Sequence, residues 1–184
     1  DIRRCIACGY CTSGNGGLTS IDNHKVECAI NPETGWNFEG YFAIRPVARP
    51  KKVLVAGGGA AGMEAARVAA ARGHHVTLFE RSDRLGGQLW PAGCAPGKSD
   101  IHYFIAYLAT QMRKLGVDVR LNGALTAYAL AAEEPDVLIA ATGGDPFVPD
   151  VGGIEGPGVL MALDVLEGLA VSGERVVVIG GEDV

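Results

Sequence analysis

Four of the five cysteines lie within the first 28 residues, at a spacing that suits a metal or cluster site. Cys5, Cys8 and Cys11 are separated by two residues each, and Cys28 follows, which gives C-x2-C-x2-C-x16-C. Three thiolates so close together can wrap one compact centre, and a fourth from a returning loop can close it, as in iron–sulfur proteins. The spacing therefore favours an iron–sulfur cluster.

Two other uses of these thiols remain open. Zinc also takes four thiolates, although its usual arrangement is two paired C-x2-C knuckles rather than a triplet plus one. Disulfides would need an oxidising compartment, and we expect no export signal. Cys94 has no partner at ligand spacing and is expected to be a loop thiol, and His24 is expected to be a solvated residue of the cysteine loop rather than a ligand.

A second chemical signal lies in residues 52–80. An apolar run, a glycine cluster, an alanine-rich segment and a second apolar run predict strand, tight turn, helix and strand. The turn fits G-x-G-x-x-G: Gly57 allows the turn, Gly59 lets a pyrophosphate approach the backbone, and Gly62 lets helix and strand pack closely. The helix N-terminus would face the phosphates, and Glu80 would accept a hydrogen bond from a ribose 2′-OH. A glycine-rich turn without a ligand is the alternative.

Two later turns could join this site. The pair Gly86 and Gly87 could bring backbone amides up to a ligand. A buried strand over residues 137–141 leads into Thr142 and Gly143, at the carboxyl end of a parallel-type strand, where doubly wound folds place ligands. A polar turn without a ligand is the alternative for the second of these turns.

The remaining periodic segments are predicted to be scaffold. Ser99 begins a helix with an apolar face at i, i+3, i+4, i+7 spacing, and Gly116 ends it. We expect a strand over residues 117–121, a short helix over about 162–169 and a last strand over 176–179. The apolar face of the long helix consists of Ile101, Phe104, Ile105, Leu108, Met112 and Leu115.

The composition is that of an ordinary globular chain. Its 184 residues are 48% hydrophobic and 20% charged, with a net charge of −5. An acidic balance argues against a nucleic-acid surface or a polybasic membrane patch. No apolar segment approaches the roughly 20 residues that span a bilayer, so we expect a cytoplasmic protein.

The chain is predicted to have three parts. Residues 1–50 are a cysteine-rich iron–sulfur loop and connector, and 51–173 an incomplete Rossmann-like dinucleotide-binding domain, which the resemblance described below assigns to FAD. Residues 174–184 are the first strand of a truncated second nucleotide-binding domain. A strand and glycine turn are half of a βαβ unit, so we expect a longer polypeptide. Residues 176–182 weakly repeat the pattern of residues 53–59, and in this weak repeat Glu182 replaces the second fingerprint glycine, where a carboxylate would repel a pyrophosphate. The connector carries aromatics that could shield a cluster or simply pack: Trp36, Phe38, Tyr41 and Phe42.

Together these motifs resemble the middle of a family of iron–sulfur flavoenzymes related to Old Yellow Enzyme. This is the group of 2,4-dienoyl-CoA reductase, enoate reductase and trimethylamine dehydrogenase. The resemblance rests on Ile-Arg-Arg-Cys-Ile-Ala-Cys, Cys-Ala-Ile-Asn-Pro, Gly-Gly-Gln-Leu and Ala-Thr-Gly. It implies an FMN-bearing (β/α)8 barrel that precedes these residues and holds the catalytic side chains. A [4Fe-4S] cluster would follow, and then a domain for FAD or ADP with an inserted NAD(P)H-binding domain.

The resemblance also assigns roles to residues of this chain. It implies that the four early cysteines hold the cluster and that no catalytic residue lies in these 184 positions. Ala61, Glu80, Gln88 and Leu125 match the family's FAD contacts, and the fingerprint glycines match its pyrophosphate site. The full set of cofactor-binding residues that we predict is Gly57, Gly59, Ala61, Gly62, Glu80, Gly87, Gln88, Leu125, Thr142 and Gly143, and the ligand set is Cys5, Cys8, Cys11 and Cys28.

The implied function is electron transfer between NAD(P)H, FAD and the FMN barrel, for reduction of an activated alkene of the enoate or dienoyl-CoA type. The Gly-Gly-Gln-Leu turn resembles the reductases. The two-residue gap between Cys8 and Cys11, together with Glu182, resembles the amine dehydrogenases, which pass electrons to an electron-transfer flavoprotein. A zinc-stapled, non-catalytic dinucleotide-binding module is a third possibility, and the isolated chain is expected to have no turnover.

Overall fold

The computed structural model describes residues 2–12, 26–36, 40 and 42–180. The chain divides into two compact units, residues 1–144 and 145–184. The boundaries at residues 50 and 173 that the sequence suggests remain predictions. Four residues named in the sequence analysis lie outside the described residues. They are His24 of the cysteine loop, the connector aromatics Phe38 and Tyr41, and Glu182 of the weak repeat.

A parallel sheet forms the centre of the first unit. Its strands are β1 (Lys52–Ala56), β2 (His75–Phe79), β3 (Asp118–Arg120) and β4 (Val137–Ala140), in the order β3-β2-β1-β4. Because every pairing is parallel, all four strands end at the same edge of the sheet. The turns that follow the strands therefore meet at that edge, which we call the carboxyl edge.

Five helices accompany the strands in the described part of the chain: α1 (Ala60–Ala71), α2 (Leu89–Cys94), α3 (Asp100–Lys114), α4 (Ala127–Glu133) and α5 (Ala162–Leu166). Helix α5 belongs to the second unit, and the others to the first. The core joins β1 and β2 to α1 and α3. Its fully buried side chains include Val55, Met63, Leu78, Leu108 and Met112. Strands β1 and β2 are buried along most of their length, as their continuous apolar runs predict. Strand β4 alternates half-buried and exposed residues, and Leu138 is 44% exposed, so the expectation of a buried strand there is wrong.

Helix α3 agrees with its sequence pattern except at the two ends. Four residues of the predicted face are buried, whereas Leu115 is 38% exposed at the C-cap. Gly116 adopts a left-handed conformation (φ +74°) and ends the helix as predicted. Ser99 occupies the N-cap position, but its side chain makes no capping hydrogen bond, so that part of the prediction is wrong.

Three local features differ from the sequence expectations. Cys94 lies at the end of helix α2, in a segment expected to be a loop. Helix α4 was not predicted, and the Thr126 hydroxyl caps it by accepting from the Ala129 amide at 3.1 Å. Residues 176–179 form no ladder with any described strand, and Val177 is 90% exposed. A strand needs a neighbouring strand to pair its backbone groups. That residues 174–184 begin a second nucleotide-binding domain stays a prediction.

None of the helices in the described residues is both long and apolar enough to cross a membrane.

Candidate functional site

The glycine turn after β1 is fixed by two close backbone approaches. A Cβ on Gly57 would lie 2.2 Å from the Ala141 carbonyl oxygen, and a Cβ on Gly62 would lie 1.9 Å from the Gly57 carbonyl oxygen. These two glycines are thus required by the packing of β1, β4 and α1. A Cβ on Gly59 would meet nothing within 4 Å, so the packing does not require glycine at that position. The open space at Gly59 fits a close ligand, as the sequence predicts.

The N-terminus of α1 faces that space with free backbone donors. Gly59 is the N-cap, and its carbonyl accepts the first intrahelical bond, from the Met63 amide at 2.9 Å. Among the described residues, no side chain caps this end, and the first turn carries no acidic group. The amides of Ala60, Ala61 and Gly62 and the positive end of the helix dipole are therefore available to an anion. This arrangement fits the pyrophosphate of a dinucleotide.

Glu80 lies under the glycine turn, at the end of β2, and is only 6% exposed. Its Oε2 accepts from the Gly58 amide at 2.6 Å, and its Oε1 accepts from the amide and hydroxyl of Ser82 at 2.8 and 2.7 Å. Burial by itself would raise the pKa of Glu80, but the hydrogen bonds from Ser82 and Gly58 outweigh it and lower the pKa. The side chain is therefore a carboxylate at neutral pH.

Gly58 is a residue of this site that the fingerprint reading missed. A Cβ there would lie 2.7 Å from Leu85 Cδ2 and 2.9 Å from Glu80 Oε2. Its carbonyl also accepts from the Gly86 amide at 2.9 Å. The position counts as "x" in G-x-G-x-x-G, yet only glycine fits without displacing a neighbour. The run of three glycines in the sequence was the available signal.

The turn after β2 is joined to the glycine turn and to the turn after β4. Gly59 and Gly86 form an isolated parallel bridge, and a Cβ on Gly87 would lie 3.0 Å from the Gly59 Cα. Gln88 Nε2 donates to the Gly144 carbonyl at 3.0 Å. The predicted pair of Gly87 and Gln88 thus lies beside the fingerprint, as a shared site requires.

The remaining predicted contact residues lie at the same edge. Thr142 and Gly143 follow β4, and a Cβ on Gly143 would also meet open space. Leu125 is half-buried in the loop after β3. The Gly123 amide of that loop donates to the Glu80 carbonyl at 3.0 Å. All the predicted dinucleotide contacts therefore lie at the carboxyl edge, or in the first turn of the helix that begins there.

The four early cysteines are free thiols. Cys5 and Cys8 are exposed, and Cys11 and Cys28 are half-buried. The Ala7 amide donates to Cys5 Sγ at 3.3 Å, and Ala7 is left-handed (φ +51°). Such N–H···S bonds also surround metal-bound thiolates, and thiolates are the donors that iron–sulfur clusters take. The donor chemistry thus fits a cluster, but in the described part of the chain no three His, Cys, Asp or Glu side chains converge into a metal-binding group.

A largely covered arginine, Arg3, connects the cysteine segments to the nucleotide-binding scaffold. Arg3 Nη1 donates to the Ile30 carbonyl at 2.6 Å, and Arg3 Nη2 donates to the Tyr107 hydroxyl at 3.4 Å. Arg3 also pairs with Glu64 of α1 at 3.5 Å, and Glu64 accepts two bonds from Arg67. Burial would raise the pKa of Glu64, but the two arginines lower it. The sequence offered no signal for the contacts of Arg3, because Ile30, Glu64 and Tyr107 are all far from it in the chain.

Comparison with known proteins agrees with this geometry. Residues 52–116 match the sequence profile of the FAD-dependent oxidoreductases. The chain is 43% identical over 182 residues to a bilirubin reductase of Mediterraneibacter gnavus, covering 98% of this chain and 27% of that protein. It is 40% identical over 152 residues to an N,N-dimethylglycine/sarcosine dehydrogenase of Chromohalobacter salexigens, covering 82% of this chain and 21% of that protein.

A solved structure of 2-naphthoyl-CoA reductase superimposes with a TM-score of 0.76 at 43% identity, over 81% of this chain and 23% of that one. The chain belongs to the flavin oxidoreductase group that includes these reductases and amine dehydrogenases. The predicted family and the predicted α/β, Rossmann-like FAD-binding fold are thereby confirmed, and a flavin is the supported cofactor. The iron–sulfur loop before that domain stays a prediction. This flavin oxidoreductase chain spans about a quarter of the length of the relatives that it matches.

Proposed function

We propose that this chain is the electron-transfer portion of an iron–sulfur flavin oxidoreductase. It would relay electrons between NAD(P)H, FAD and an FMN barrel outside these residues, for reduction of an activated alkene. The observation that carries the proposal is the open space at Gly59, in front of the uncapped first turn of α1. FAD, when bound, supplies the exchange between two-electron and one-electron chemistry.

The residues of the carboxyl edge have distinct tasks in holding FAD. The first-turn amides of α1 would bind the pyrophosphate, and Gly59 would let it approach. Glu80 has three of its roughly four acceptor positions occupied, so one remains for a ribose hydroxyl. Gln88 and Gly144, joined by their hydrogen bond, would cover the part of the nucleotide beyond the pyrophosphate. These groups bind and orient, and none of them needs to transfer a proton.

The four cysteines would hold a [4Fe-4S] cluster through Cys5, Cys8, Cys11 and Cys28. None of the four forms a disulfide, and the Ala7 amide donates a hydrogen bond to Cys5 Sγ, as backbone amides do around cluster sulfurs. Further bonds of this kind, and the degree of exposure, are what tune the potential of such a centre. We place the protein in the cytoplasm, with nucleotides and the rest of its own polypeptide as partners.

A second candidate is part of an amine dehydrogenase. The 40% identity to an N,N-dimethylglycine/sarcosine dehydrogenase favours it, as does the two-residue gap between Cys8 and Cys11. In this alternative the carboxyl edge would hold ADP rather than FAD, and electrons would leave to an electron-transfer flavoprotein. The reductase relative matches more of the chain, 98% against 82%, and for that reason we prefer the reductase.

Cofactor analysis tests both candidates. The chain, purified without oxygen, should contain iron and acid-labile sulfide in equal amounts and release FAD on denaturation. Its visible absorbance should bleach with dithionite. ADP without flavin would favour the dehydrogenase, and one zinc per chain with no iron would overturn electron transfer in favour of a zinc-stapled module.

A further inference from the structure

We infer that Arg3 is a positioning residue that holds the two cysteine-bearing segments together and fixes them to helix α1. It would thereby set where the centre bound by the cysteines lies relative to the dinucleotide turn. The inference rests on the proposed function in one respect, namely that the cysteines bind a centre.

The first step is the contact between the two segments. Arg3 lies two residues before Cys5, and Ile30 lies two residues after Cys28. The 2.6 Å bond from Arg3 Nη1 to the Ile30 carbonyl joins them across 27 positions of the chain. Hydrogen bonds from a charged donor are among the stronger ones, and a short one restrains both partners. The bond therefore restrains the distance between the first ligand segment and the last.

The second step is the anchoring of this pair to the scaffold. Ile30 is 9% exposed and belongs to the same core cluster as the residues of α1 and α3, and both Ile6 and Cys28 pack against that core. The Arg3 side chain is 13% exposed, and its guanidinium lies 5.0 Å from the centre of the Tyr107 ring. The cysteine segments are thus attached to packed helices rather than only to a loop.

The third step connects the anchor to the dinucleotide turn. Arg3 pairs with Glu64, which lies four residues after Ala60, the first residue of α1. A helix is stiff over one turn, so the position of Glu64 follows that of the first-turn amides. One guanidinium therefore contacts the last ligand segment, helix α1 and helix α3, and a planar group with five donors can do this where an ammonium cannot.

Arg67 provides a matched control. It has the same side-chain exposure as Arg3, 13%, and it pairs with the same carboxylate, Glu64. Its described hydrogen bonds go to Glu64, whereas those of Arg3 also reach Ile30 and Tyr107. Arg3→Met and Arg67→Met thus remove equally buried charges from one network, but only the first removes the bond to the cysteine loop.

The experiment compares Arg3→Met, Arg3→Lys, Arg67→Met and the unaltered chain, all purified without oxygen. The measurements are the rate of iron loss to a chelator, the EPR spectrum of the dithionite-reduced protein and the amount of bound FAD. We expect Arg3→Met to lose iron about tenfold faster, as for the loss of one charge-assisted hydrogen bond. Its EPR spectrum should change, Arg3→Lys should be intermediate, and Arg67→Met should match the unaltered chain in both respects.

Equal rates of iron loss in Arg3→Met and Arg67→Met, with unchanged EPR spectra, would show that Arg3 is merely structural and overturn the inference. If Arg3→Met does not fold, the same comparison is decided by Arg3→Lys. If the unaltered chain holds zinc and no iron, the proposed function fails. The inference is then decided by the rate of zinc release from the same variants.

Discussion

The Gly58 amide donates a 2.6 Å hydrogen bond to Oε2 of Glu80, which joins the turn after β1 to the end of β2. This bond occupies the amide that precedes the helix cap, so the donors left for a phosphate are those of the first turn of α1. Together with the two stronger contributions from Ser82, it lowers the pKa of Glu80 against the effect of burial and so keeps the carboxylate ionised below the turn. The bond therefore joins the turn that we propose for the phosphate to the carboxylate that we propose for the ribose.

Gly59→Ala should weaken FAD binding while the fold is retained. The backbone at Gly59 (φ −75°) suits alanine, and the added Cβ would meet no protein atom within 4 Å. It would instead enter the space of the pyrophosphate, so we expect affinity to fall about tenfold or more, or roughly 1.4 kcal/mol. Fluorescence titration with FAD measures the affinity, and thermal unfolding of the FAD-free chain should shift little.

Gly62→Ala is the matched control for that substitution. Its Cβ would lie 1.9 Å from the Gly57 carbonyl oxygen, a backbone atom that has no room to move aside. We expect a loss of stability of about 1–3 kcal/mol, the usual cost of overpacking, visible in the FAD-free chain. Similar unfolding temperatures for the two variants would contradict the assignment of Gly59 to the ligand and Gly62 to packing.

Glu80→Gln should destabilise the chain in a pH-dependent way. The amide replaces one acceptor oxygen with a donor, so a bond to Gly58 or Ser82 is lost, at about 1–3 kcal/mol. The folded-state pKa of Glu80 lies below its usual value of 4.5, so its stabilisation is present above that value and is lost as pH falls through the folded-state pKa. The stability difference between the two proteins should be largest near pH 7 and shrink towards acid.

Urea unfolding from pH 7 downward measures that difference. Glu134→Gln, at an exposed position, is the control and should shift stability by no more than about 0.5 kcal/mol. A Glu80→Gln difference that stays constant down to acid pH would mean that ionisation of this carboxyl is not what stabilises the turn.

Gln88→Met should accelerate FAD dissociation and slightly destabilise the free protein, because the bond that it removes is present without FAD. The substitution keeps the side-chain length and removes the donor to the Gly144 carbonyl. An exposed hydrogen bond contributes about 0.5–1.5 kcal/mol, so we expect dissociation to be roughly threefold to tenfold faster. Stopped-flow displacement of FAD measures the rate, and an unchanged rate would remove Gln88 from the site.

Cys8→Ser should abolish cluster binding, whereas Cys94→Ser should not. Both thiols are exposed, but only Cys8 lies within the C-x2-C-x2-C segment. We expect iron and sulfide to fall to background in the first variant and to stay unchanged in the second, because a cluster iron needs its full thiolate set. Loss of iron in Cys94→Ser would show that the ligand set has been assigned wrongly.

The sequence alone was sufficient where the signal is local. The turn from β1 into α1, the end of α3 at Gly116 and the roles of Gly57 and Gly62 follow from apolar periodicity and glycine positions within a few residues of each other. It was misleading where a local pattern needs a distant partner. Residues 176–179 have a strand's composition but pair with no described strand. Ser99 fails for a local reason instead: its backbone is helical (φ −58°, ψ −20°) rather than extended, and its side chain makes no capping bond.

Contacts between distant residues were decided only by the tertiary structure. The sheet order β3-β2-β1-β4 brings four separate turns to one edge, which places the turns of Gly59, Glu80 and Gln88 beside one another. The requirement for Gly58 appears only when Glu80 and Leu85 are seen beside it, and Arg3 finds Ile30 across 27 positions. Sequence periodicity reports the local backbone, whereas these contacts depend on how packed elements meet, and no spacing along the chain encodes that.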